Sequence, residues 1–380
     1  MTTALVNGAV LTAAGFERGL AVLVDAGRIT AVLDVGDPRV RGSTWHDLAG
    51  RMLLPGFIDC QVNGGGGVLF NHAPSVEGIR AIAAAHRRFG TTGLLPTLIS
   101  DKAEVMRAAM AAVDAAMDQV PGVLGIHIEG PYIAPARKGV HDETTLRSPG
   151  AEEIALSTSL KRGRTLITLA PECVSSEALR KLLAAGVVVS VGHTAADYDA
   201  VRRALDAGAQ GFTHLFNAMT PLQSRAPGAV GAALEDRHSW CGVIVDGHHV
   251  HPASIKVALA AKSRGKVFLV TDAMPPVGSP DPEFVLNGET ISVKDGIART
   301  ADGTLAGSVI SMIDAVQNCV ELLGLPLEEA ARMASTYPAE FLGLGSSHGR
   351  IAPAYRADFT VIDTAFKVHE TWIGGQRETA

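Results

Sequence analysis

The chain has 380 residues, of which 47% are hydrophobic and 19% charged, so it can bury a large core and does not have the composition of a disordered protein. Its formal net charge of −6 is mild and comes without a basic stripe, which argues against nucleic acid and anionic membranes as partners. Four widely separated cysteines, with neither a signal-peptide pattern nor a long apolar stretch, predict a soluble cytoplasmic protein without a disulfide framework.

The beginning and the end of the chain have the patterns of β-strands. Residues 1–52 and 349–380 alternate apolar and polar positions between turns such as Asn7-Gly8 and Ala26-Gly27. We predict that these two segments pair into one small β-sandwich domain. Residues 53–348 then form a second, larger domain.

Within the larger domain, eight short β-rich runs alternate with alanine-rich helical patterns. The runs cover 53–60, 93–98, 123–128, 165–170, 187–191, 211–215, 240–245 and 267–271, and the helical patterns include 76–89, 103–117, 177–185, 195–207 and 252–263. This repeat predicts an α/β fold, a (β/α)₈ TIM-type barrel, in which active-site residues lie at the carboxyl ends of the strands. A hairpin insertion over 283–304 and closing helices over 308–323 and 327–342 follow the eighth run.

Six polar residues lie in or just after these runs: Gln61, Asn63, Glu129, His193, His214 and Asp272. A single histidine at a strand end is more often a structural residue that hydrogen-bonds to the backbone. Two histidines and a glutamate after the third, fifth and sixth runs instead match the ligands of a catalytic zinc site that keeps one position for water. We predict that Glu129, His193 and His214 bind one metal ion.

Asp272 has two interpretations. It could accept backbone N–H groups as a helix N-cap, or it could be a general base that takes a proton from an activated water and returns it to a leaving amine. Its place across the barrel from the three ligands favours the second interpretation, and with it hydrolysis. His127 lies two residues before Glu129 on the same strand face, and we interpret it as a packing or supporting residue.

The segment from Gln61 to Gly67 is ambiguous. Amides are weak metal ligands beside imidazole, and a run of glycines indicates only a tight backbone path. The GxxxxGK[ST] pattern of a phosphate-binding loop is absent from the sequence, so a phosphate cradle is a minority interpretation.

Eight segments follow one another across nearly the whole chain: PGFIDCQVNGGGG, GIHIEGPY, KGVH, VGHTAAD, THLFNAMTPL, VDGHHVHP, VTDAM and LAGS. Together they resemble the N-acetylglucosamine-6-phosphate deacetylases of the amidohydrolase superfamily. HIEGPY, HLFNAM and DGHHV are the specific part of this resemblance, whereas PGFID is shared more widely among amidohydrolases. The resemblance implies a TIM-barrel hydrolase that converts N-acetylglucosamine 6-phosphate into glucosamine 6-phosphate and acetate.

The resemblance also implies roles for individual residues. The metal ligands would be Glu129, His193 and His214, the acid/base Asp272, and the group that polarises the acetamide carbonyl His141 of KGVH. The sugar phosphate would be held by Asn217, Ala218, Arg225 and His249, and the sugar pocket would be lined by Val140, Leu305, Ala306 and Gly307. Among His248, His249 and His251, motif position alone selects His249.

Two positions depart from the wider superfamily. Many amidohydrolases carry His-x-His after the first strand and a lysine on the fourth, which build a second metal site. In this chain, Gln61-x-Asn63 takes the place of His-x-His after the first strand. The fourth strand, TLITLAPE, has no lysine. Some deacetylases share Gln-x-Asn, which implies one divalent metal ion per subunit and makes Gln61 and Asn63 a vestigial second-metal position. Zinc suits the ligands best, while iron, cobalt and manganese also fit. The resemblance further implies a homodimer, with a neighbouring subunit reaching the phosphate.

Two alternatives stay open at this point. A cyclic-amide hydrolase of dihydroorotase or hydantoinase type shares the barrel, but the missing His-x-His and lysine argue against it. A non-catalytic barrel could have kept the fold for binding alone, since fold by itself does not establish chemistry. The complete set of Glu129, His193, His214 and Asp272 argues against that alternative.

Overall fold

The centre of the protein is an eight-stranded parallel barrel, seen in a computed structural model that describes residues 2–379. The first to eighth barrel strands are Phe57–Val62, Thr91–Ile99, Gly125–Glu129, Arg164–Leu169, Val188–Val191, Gly211–Phe212, Trp240–Val243 and Val267–Leu269. Each strand pairs in parallel with the next along the chain. All eight overlap the predicted runs, so the predicted (β/α)₈ barrel is confirmed.

The first predicted run is two strands rather than one. Met52–Pro55 pairs with a sheet outside the barrel, and Phe57–Val62 begins the barrel itself. Gly56 separates the two, and a Cβ atom there would lie only 2.0 Å from the Thr92 hydroxyl oxygen. The apolar run is continuous across this point because both strands are buried, so hydrophobicity alone did not mark the break.

Helices cover the outside of the barrel and close its end. Those that follow barrel strands are Val76–Arg87, Ala103–Gln119, Ala151–Ser157, Ser176–Ala184, Tyr198–Asp206, Gly228–Glu235 and Pro252–Ala261, and the closing helices are Met312–Glu321, Leu327–Ala334 and Thr336–Phe341. Short turns of helix lie at Pro38–Arg41, Pro135–Arg137, Glu143–Thr145 and Pro171–Cys173. None of the helices in residues 2–379 combines the length and the apolar character that crossing a membrane requires.

Two of these helices were not predicted, for opposite reasons. Ala151–Ser157 is short, and Ser157 is its only buried residue, so it has no continuous buried apolar stripe. Gly228–Glu235 is buried at every position except Glu235, so it has no polar face. Amphipathic periodicity detects helices that have one apolar and one polar side, and neither of these does.

The terminal segments pair into a separate β-structure, as predicted. One sheet contains Thr3–Val6, Leu20–Asp25, Arg28–Asp34 and Thr44–Asp47, and the other contains Ala9–Thr12, Gly15–Glu17, Met52–Pro55, Phe359–Ile362, Val368–Ile373 and Gln376–Thr379. Leu5, Val22, Phe359 and Trp372 belong to one buried apolar cluster that joins strands of both sheets. The domain boundaries at 52/53 and 348/349 stay a prediction.

The predicted insertion after the eighth strand is a four-stranded antiparallel sheet. Its strands are Glu283–Leu286, Glu289–Lys294, Ile297–Arg299 and Leu305–Ser308. Asn287, in the turn between the first two, donates a hydrogen bond of 2.7 Å to the backbone carbonyl of Val140. Leu69, Ile99 and Met274 pack against this sheet, so it covers one side of the barrel mouth.

The barrel closes between its first and eighth strands without a continuous ladder. We call this contact, formed by residues 59–64 and 271–273, the seam. Backbone contacts across it are a bridge between Val62 and Ala273, a bond of 2.9 Å from the Asp272 N–H to the Gln61 carbonyl, and one of 2.8 Å from the Gly64 N–H to the Ala273 carbonyl. The seam therefore places Gln61, Asn63 and Asp272 side by side.

Candidate active site

Three predicted ligands meet at the carboxyl ends of the barrel strands. Glu129 ends the third strand, and His193 and His214 each follow the end of a strand by two residues. Glu129 Oε1 lies 3.2 Å from His193 Nε2 and 2.9 Å from His214 Nε2, and the two nitrogens are 3.1 Å apart. All three side chains are buried. The structure thus brings together residues that are up to 85 positions apart in the sequence.

The geometry of this cluster fits a divalent cation. One atom from each residue lies within 4.8 Å of the others, and ligands of a tetrahedral zinc lie roughly 3.4 Å apart at bond lengths of about 2.1 Å. The Arg137 backbone carbonyl holds Nδ1 of His193 at 2.8 Å, which turns Nε2 toward the cluster. Ligand histidines in metal sites are oriented by such bonds from the other ring nitrogen.

The electrostatics also favour a cation at this point. Burial alone would oppose ionisation of Glu129, but hydrogen bonds from His193 and His214 hold its pKa well below its usual range. A charged carboxylate and two imidazole nitrogens therefore face one small volume. Where the two Nε2 atoms, 3.1 Å apart, both present lone pairs to this volume they repel each other, and a cation bound between them and the carboxylate removes that repulsion.

His127 supports the cluster rather than joining it. Its Nε2 lies 2.7 Å from the Thr168 hydroxyl, and its Nδ1 lies 3.3 Å from the Thr97 hydroxyl. Burial lowers the pKa of His127 to about 4, so it is neutral near pH 7. Both ring nitrogens are thus occupied by neighbouring strands, in agreement with the interpretation of His127 as a supporting residue.

Asp272 lies opposite the three ligands. The amides of Gln61 and Asn63 donate to its Oδ1 at 3.0 and 2.6 Å, and Gln61 also donates to Glu129 at 3.1 Å. Burial and then the charge of Glu129 raise the pKa of Asp272 to about 6, which suits a base that must both take and return a proton near neutral pH. Since no helix follows Asp272 before the strand at Glu283, the N-cap interpretation does not apply.

Three of the functional side chains come from backbone in the left-handed region. The φ angles are 47° at His193, 32° at His214 and 54° at Asp272. Residues other than glycine adopt this conformation at a cost of roughly 1–2 kcal/mol, so the surrounding structure must impose it. Each of these residues lies where a barrel strand gives way to its loop, and the turn directs the side chain over the barrel mouth.

His141 is oriented to donate a hydrogen bond into the cavity. It is buried, its ring centre lies 4.6 Å from that of His193, and its Nδ1 accepts a hydrogen bond of 3.2 Å from the Ser100 N–H. Burial and then His193 lower the pKa of His141 to about 3, so the ring is neutral. A neutral imidazole that accepts at Nδ1 carries its proton on Nε2. Sequence analysis missed Ser100, which no motif marks.

These groups line a cavity of about 340 Å³ at the barrel mouth. Its walls include most of the residues predicted to bind substrate, namely Val140, Asn217, Ala218, His249, Leu305 and Gly307. Ala306 lies buried within the insertion sheet and does not line the cavity. Arg137, which was not predicted, also lines it. Its only sequence signal is its position just before the KGVH segment.

The structure distinguishes between the three adjacent histidines. His249 lines the cavity, and Asp246 Oδ2 binds its Nδ1 at 2.6 Å, which leaves Nε2 free. Although burial opposes it, the hydrogen bond from His249 lowers the pKa of Asp246 to about 2. His248 is exposed, and His251 accepts the Ala253 N–H at the start of the following helix. His249 is therefore the one placed to contact a ligand.

Arg225 lies away from the cavity. It is exposed, in a loop from Pro221 to Ala226 in which every residue is exposed, and it lines a separate surface depression with Asp197 and Tyr198. Leu222, in the same loop, keeps 54% of its surface exposed. A contact between Arg225 and a substrate in its own subunit is not supported by this placement.

The sequence and the fold of this chain are both similar to those of known proteins. The amidohydrolase family model matches residues 52–377. The chain is similar to the N-acetylgalactosamine-6-phosphate deacetylase of Shewanella sp. (strain ANA-3), with 46% identity over 333 residues, covering 87% of this chain and 84% of that protein. It is also similar to the N-acetylglucosamine-6-phosphate deacetylase of Haemophilus influenzae, with 34% identity over 381 residues and 99% coverage of both. The crystal structure of N-acetylglucosamine-6-phosphate deacetylase from Pasteurella multocida superimposes with a TM-score of 0.96, 36% identity and 100% coverage of both chains.

Proposed function

The chain belongs to the amidohydrolase family, and from this membership we propose that it hydrolyses N-acetylglucosamine 6-phosphate to glucosamine 6-phosphate and acetate. The observation that carries the proposal is the cluster of Glu129, His193 and His214 facing Asp272 across one cavity. The relatives from Haemophilus influenzae and Pasteurella multocida, which match over 99% and 100% of their length, are named for this activity.

Glu129, His193 and His214 would hold one divalent ion per subunit, and zinc fits this donor set best. Such an ion supplies Lewis acidity, which polarises a carbonyl and lowers the pKa of water. Family enzymes depend on a metal, while its identity here is part of the proposal. Gln61 and Asn63 direct their amide groups at Asp272, so they orient the base instead of completing a second metal site.

Asp272 carries out both proton transfers, and His141 stabilises the negative charge that develops on the substrate. Asp272 removes a proton from the attacking water and later delivers it to the departing amine nitrogen, which turns a poor leaving group into a neutral amine. His141 Nε2–H donates to the acetyl carbonyl oxygen as negative charge develops there. The insertion sheet and the Val140 segment cover the cavity from one side and limit access of bulk water.

The sugar phosphate extends from these groups toward the far wall of the cavity. His249 Nε2 and the Asn217–Ala218 turn would hold the phosphate end, while Val140 and Leu305–Gly307 would contact the sugar. Binding energy from the phosphate, which is remote from the reacting bond, positions the amide for attack. Unphosphorylated N-acetylglucosamine should therefore be a poor substrate, and equal turnover and affinity on it would contradict this assignment.

We further propose a homodimer in which Arg225 of the partner subunit reaches the phosphate. The exposed loop with Arg225 and Leu222 supports this arrangement, since a guanidinium pairs well with phosphate and an exposed leucine is suited to an interface. In mixed dimers of Arg225→Ala and Glu129→Gln subunits, the subunit with intact ligands would receive Arg225 from its partner. Recovery of tight substrate binding in about half the sites supports the proposal, and no recovery contradicts it.

The galacto epimer is a second candidate substrate. The relative at 46% identity is named for N-acetylgalactosamine 6-phosphate, whereas those at lower identity and full coverage are named for the gluco sugar. The two sugars differ only at the C4 hydroxyl group, so the chemistry at the amide is the same. Parallel measurement of kcat/KM on both epimers decides which sugar the cavity prefers.

The other two alternatives are not favoured. The full-length matches from Haemophilus influenzae and Pasteurella multocida are named as deacetylases and not as cyclic-amide hydrolases. A purely binding role would not explain why Asp272 and His141 are oriented beside the metal-ligand cluster. A cytoplasmic location stays a prediction from the cysteine pattern.

The decisive experiment is an acetate-release assay on N-acetylglucosamine 6-phosphate with the purified, metal-loaded protein. We expect activity that a chelator abolishes and that zinc, cobalt, iron or manganese restores to different extents. A heat-denatured sample and unphosphorylated N-acetylglucosamine serve as controls. No acetate release from either phosphorylated epimer, or activity unaffected by the chelator, would contradict the proposal.

A further inference from the structure

We propose that Asp59 is a positioning residue for the reaction, which acts through Thr271 to hold Asp272 in its working orientation. The inference rests on the proposed role of Asp272 as acid/base. Asp59 lies in the middle of the first barrel strand, is completely buried and has no access to the cavity. A carboxyl group in such a place calls for an explanation, because burying it is costly unless it makes specific bonds.

Asp59 makes its bonds across the seam. The Thr271 hydroxyl donates to Asp59 Oδ2 at 2.5 Å, the Thr271 N–H approaches Oδ1 at 3.3 Å, and the Gln61 N–H donates to Oδ1 at 3.1 Å. The two residues it binds are the immediate neighbour of Asp272 and the residue whose amide holds Asp272. The two elements joined are 212 positions apart in the sequence.

The seam needs these side-chain bonds because backbone bonds there are few. Other neighbouring barrel strands are joined by ladders, whereas the backbone contacts between the first and eighth strands are the bridge between Val62 and Ala273 and two hydrogen bonds, from the Asp272 N–H to the Gln61 carbonyl and from the Gly64 N–H to the Ala273 carbonyl. The Asp59 side chain therefore adds hydrogen bonds between the first and eighth strands, at the residue next to Asp272.

The conformation of Asp272 depends on these constraints. Its φ of 54° is unfavourable for an aspartate, so neighbouring bonds must maintain it. Ser308 holds the other side, with its hydroxyl donating to the Thr271 carbonyl and its N–H donating to the Asp272 carbonyl at 2.9 Å. Asp59 provides the opposing attachment, so that the Thr271–Asp272 segment is held from both sides.

The test uses Thr271→Val, which keeps the side-chain shape and removes only the hydroxyl donor, and Thr271→Ser, which restores a hydroxyl. In metal-loaded protein we expect Thr271→Val to lower kcat by about 10- to 100-fold, the effect expected of a small misplacement of a catalytic group. KM and metal content should stay within twofold, because substrate and metal contacts come from other strands. Thr271→Ser should recover most of the lost kcat.

A matched control is Thr92→Val, which removes another buried hydroxyl between the first two barrel strands, where Thr92 donates to the Phe57 carbonyl. It lies at the amino end of the barrel, away from the cavity. We expect it to lower the unfolding temperature as Thr271→Val does, but to leave kcat unchanged. Equal kcat losses in the two valine variants would overturn the inference.

The double variant Asp272→Asn/Thr271→Val shows whether Thr271 acts through Asp272. If it does, the second substitution adds no further loss of kcat to Asp272→Asn, whereas independent effects multiply. Asp59→Asn gives a second measurement. The Thr271 hydroxyl, the Thr271 N–H and the Gln61 N–H together use both oxygens of Asp59, and an asparagine amide has only one acceptor oxygen. We therefore expect kcat to fall in Asp59→Asn as it does in Thr271→Val. A normal kcat in both Thr271→Val and Asp59→Asn contradicts the inference. If Asp272→Asn itself keeps full turnover, the proposed function fails instead.

Discussion

The side of the site with the proposed metal ligands, here the metal side, and the side with the proposed base, here the base side, are held together by different means. Glu129, His193 and His214 follow the third, fifth and sixth barrel strands, and continuous parallel ladders join these strands through the fourth. Asp272 follows the eighth strand and is attached to the first strand at the seam, by one bridge, two backbone hydrogen bonds and a few side-chain bonds.

This difference determines which residues are critical. In a ladder, backbone hydrogen bonds fix neighbouring strands whatever their side chains are, so a ligand at a strand end is positioned by many small contributions. At the seam, single side chains replace backbone bonds, and each buried polar group left without its partner costs about 1–3 kcal/mol. We therefore expect the metal side to tolerate changes around its ligands and the seam to be sensitive to them.

The largest effect should come from removing a ligand on the metal side. Glu129→Gln keeps the shape of the side chain but replaces a charged ligand with a weak one. Metal content should fall from about one ion per chain to near zero, and deacetylase activity should fall below detection, since catalysis depends on the ion. Elemental analysis with the exposed-surface variant Glu235→Gln as control checks this, and a reproducible two ions per chain in the native protein would contradict the single-site assignment.

The corresponding change on the base side should separate metal binding from catalysis. Asp272→Asn cannot accept a proton, so turnover should fall by roughly 10³-fold, within the range of general-base contributions. Metal content should stay at the native value, because the ligands come from the other strands. Initial-rate kinetics alongside elemental analysis test this. Near-normal turnover would remove Asp272 from the mechanism, and loss of the ion would show that the two sides are not independent.

Much of the metal side could be predicted from the sequence. Each ligand lies at the end of an apolar run, and once eight runs are identified, the barrel topology requires their carboxyl ends to meet at one mouth. Glu129, His193 and His214 are therefore predictable from local patterns and one fold-level rule. His249 followed from its motif, and its cavity-facing ring agrees with that choice.

The seam and the loops could not be predicted in the same way. The bond between Asp59 and Thr271 depends on the contact of two distant strands, and hydrophobic periodicity reports only that both residues are buried. Arg137 holds His193 through a backbone carbonyl, whose role does not depend on residue type, and Ser100 contacts His141 through its N–H and its hydroxyl at a position that no motif marks. The exposed position of Arg225 follows from the path of a loop without regular structure.

Substitution of Arg225 tests whether one subunit contains all the residues that bind the substrate phosphate. Because the proposed dimer brings Arg225 to the phosphate bound in the neighbouring subunit and not to the reacting amide, Arg225→Ala should leave kcat within about twofold and raise KM by about tenfold, the effect of losing one charge-assisted phosphate contact of about 1.4 kcal/mol. Initial-rate kinetics across substrate concentrations measure both constants, with Arg180→Ala, on an exposed helix face, as control. An unchanged KM would mean that the phosphate is bound entirely by the cavity residues.

The smallest effect should come from Glu172, which supports the metal side from outside. Its carboxylate accepts bonds from the Thr194 hydroxyl at 2.7 Å and the Ala195 N–H at 2.6 Å, and so holds the turn after His193. Glu172 is exposed, and the same turn is also tied to the next loop by the Thr194 N–H and the Ala218 carbonyl at 3.0 Å. Glu172→Gln should therefore weaken metal affinity by less than about tenfold, below the usual cost of losing a direct support of a ligand.

Competition with a chromogenic chelator measures that affinity, and kcat at saturating metal should stay within about twofold of the native value, as catalytic geometry is unchanged once the ion is bound. The comparison with Thr271→Val is then direct, since both variants weaken side-chain bonds next to a functional residue in left-handed backbone. A kcat loss in Glu172→Gln as large as that in Thr271→Val would show that ladders do not make the metal side more tolerant, and that every turn at the barrel mouth depends on its side chains alike.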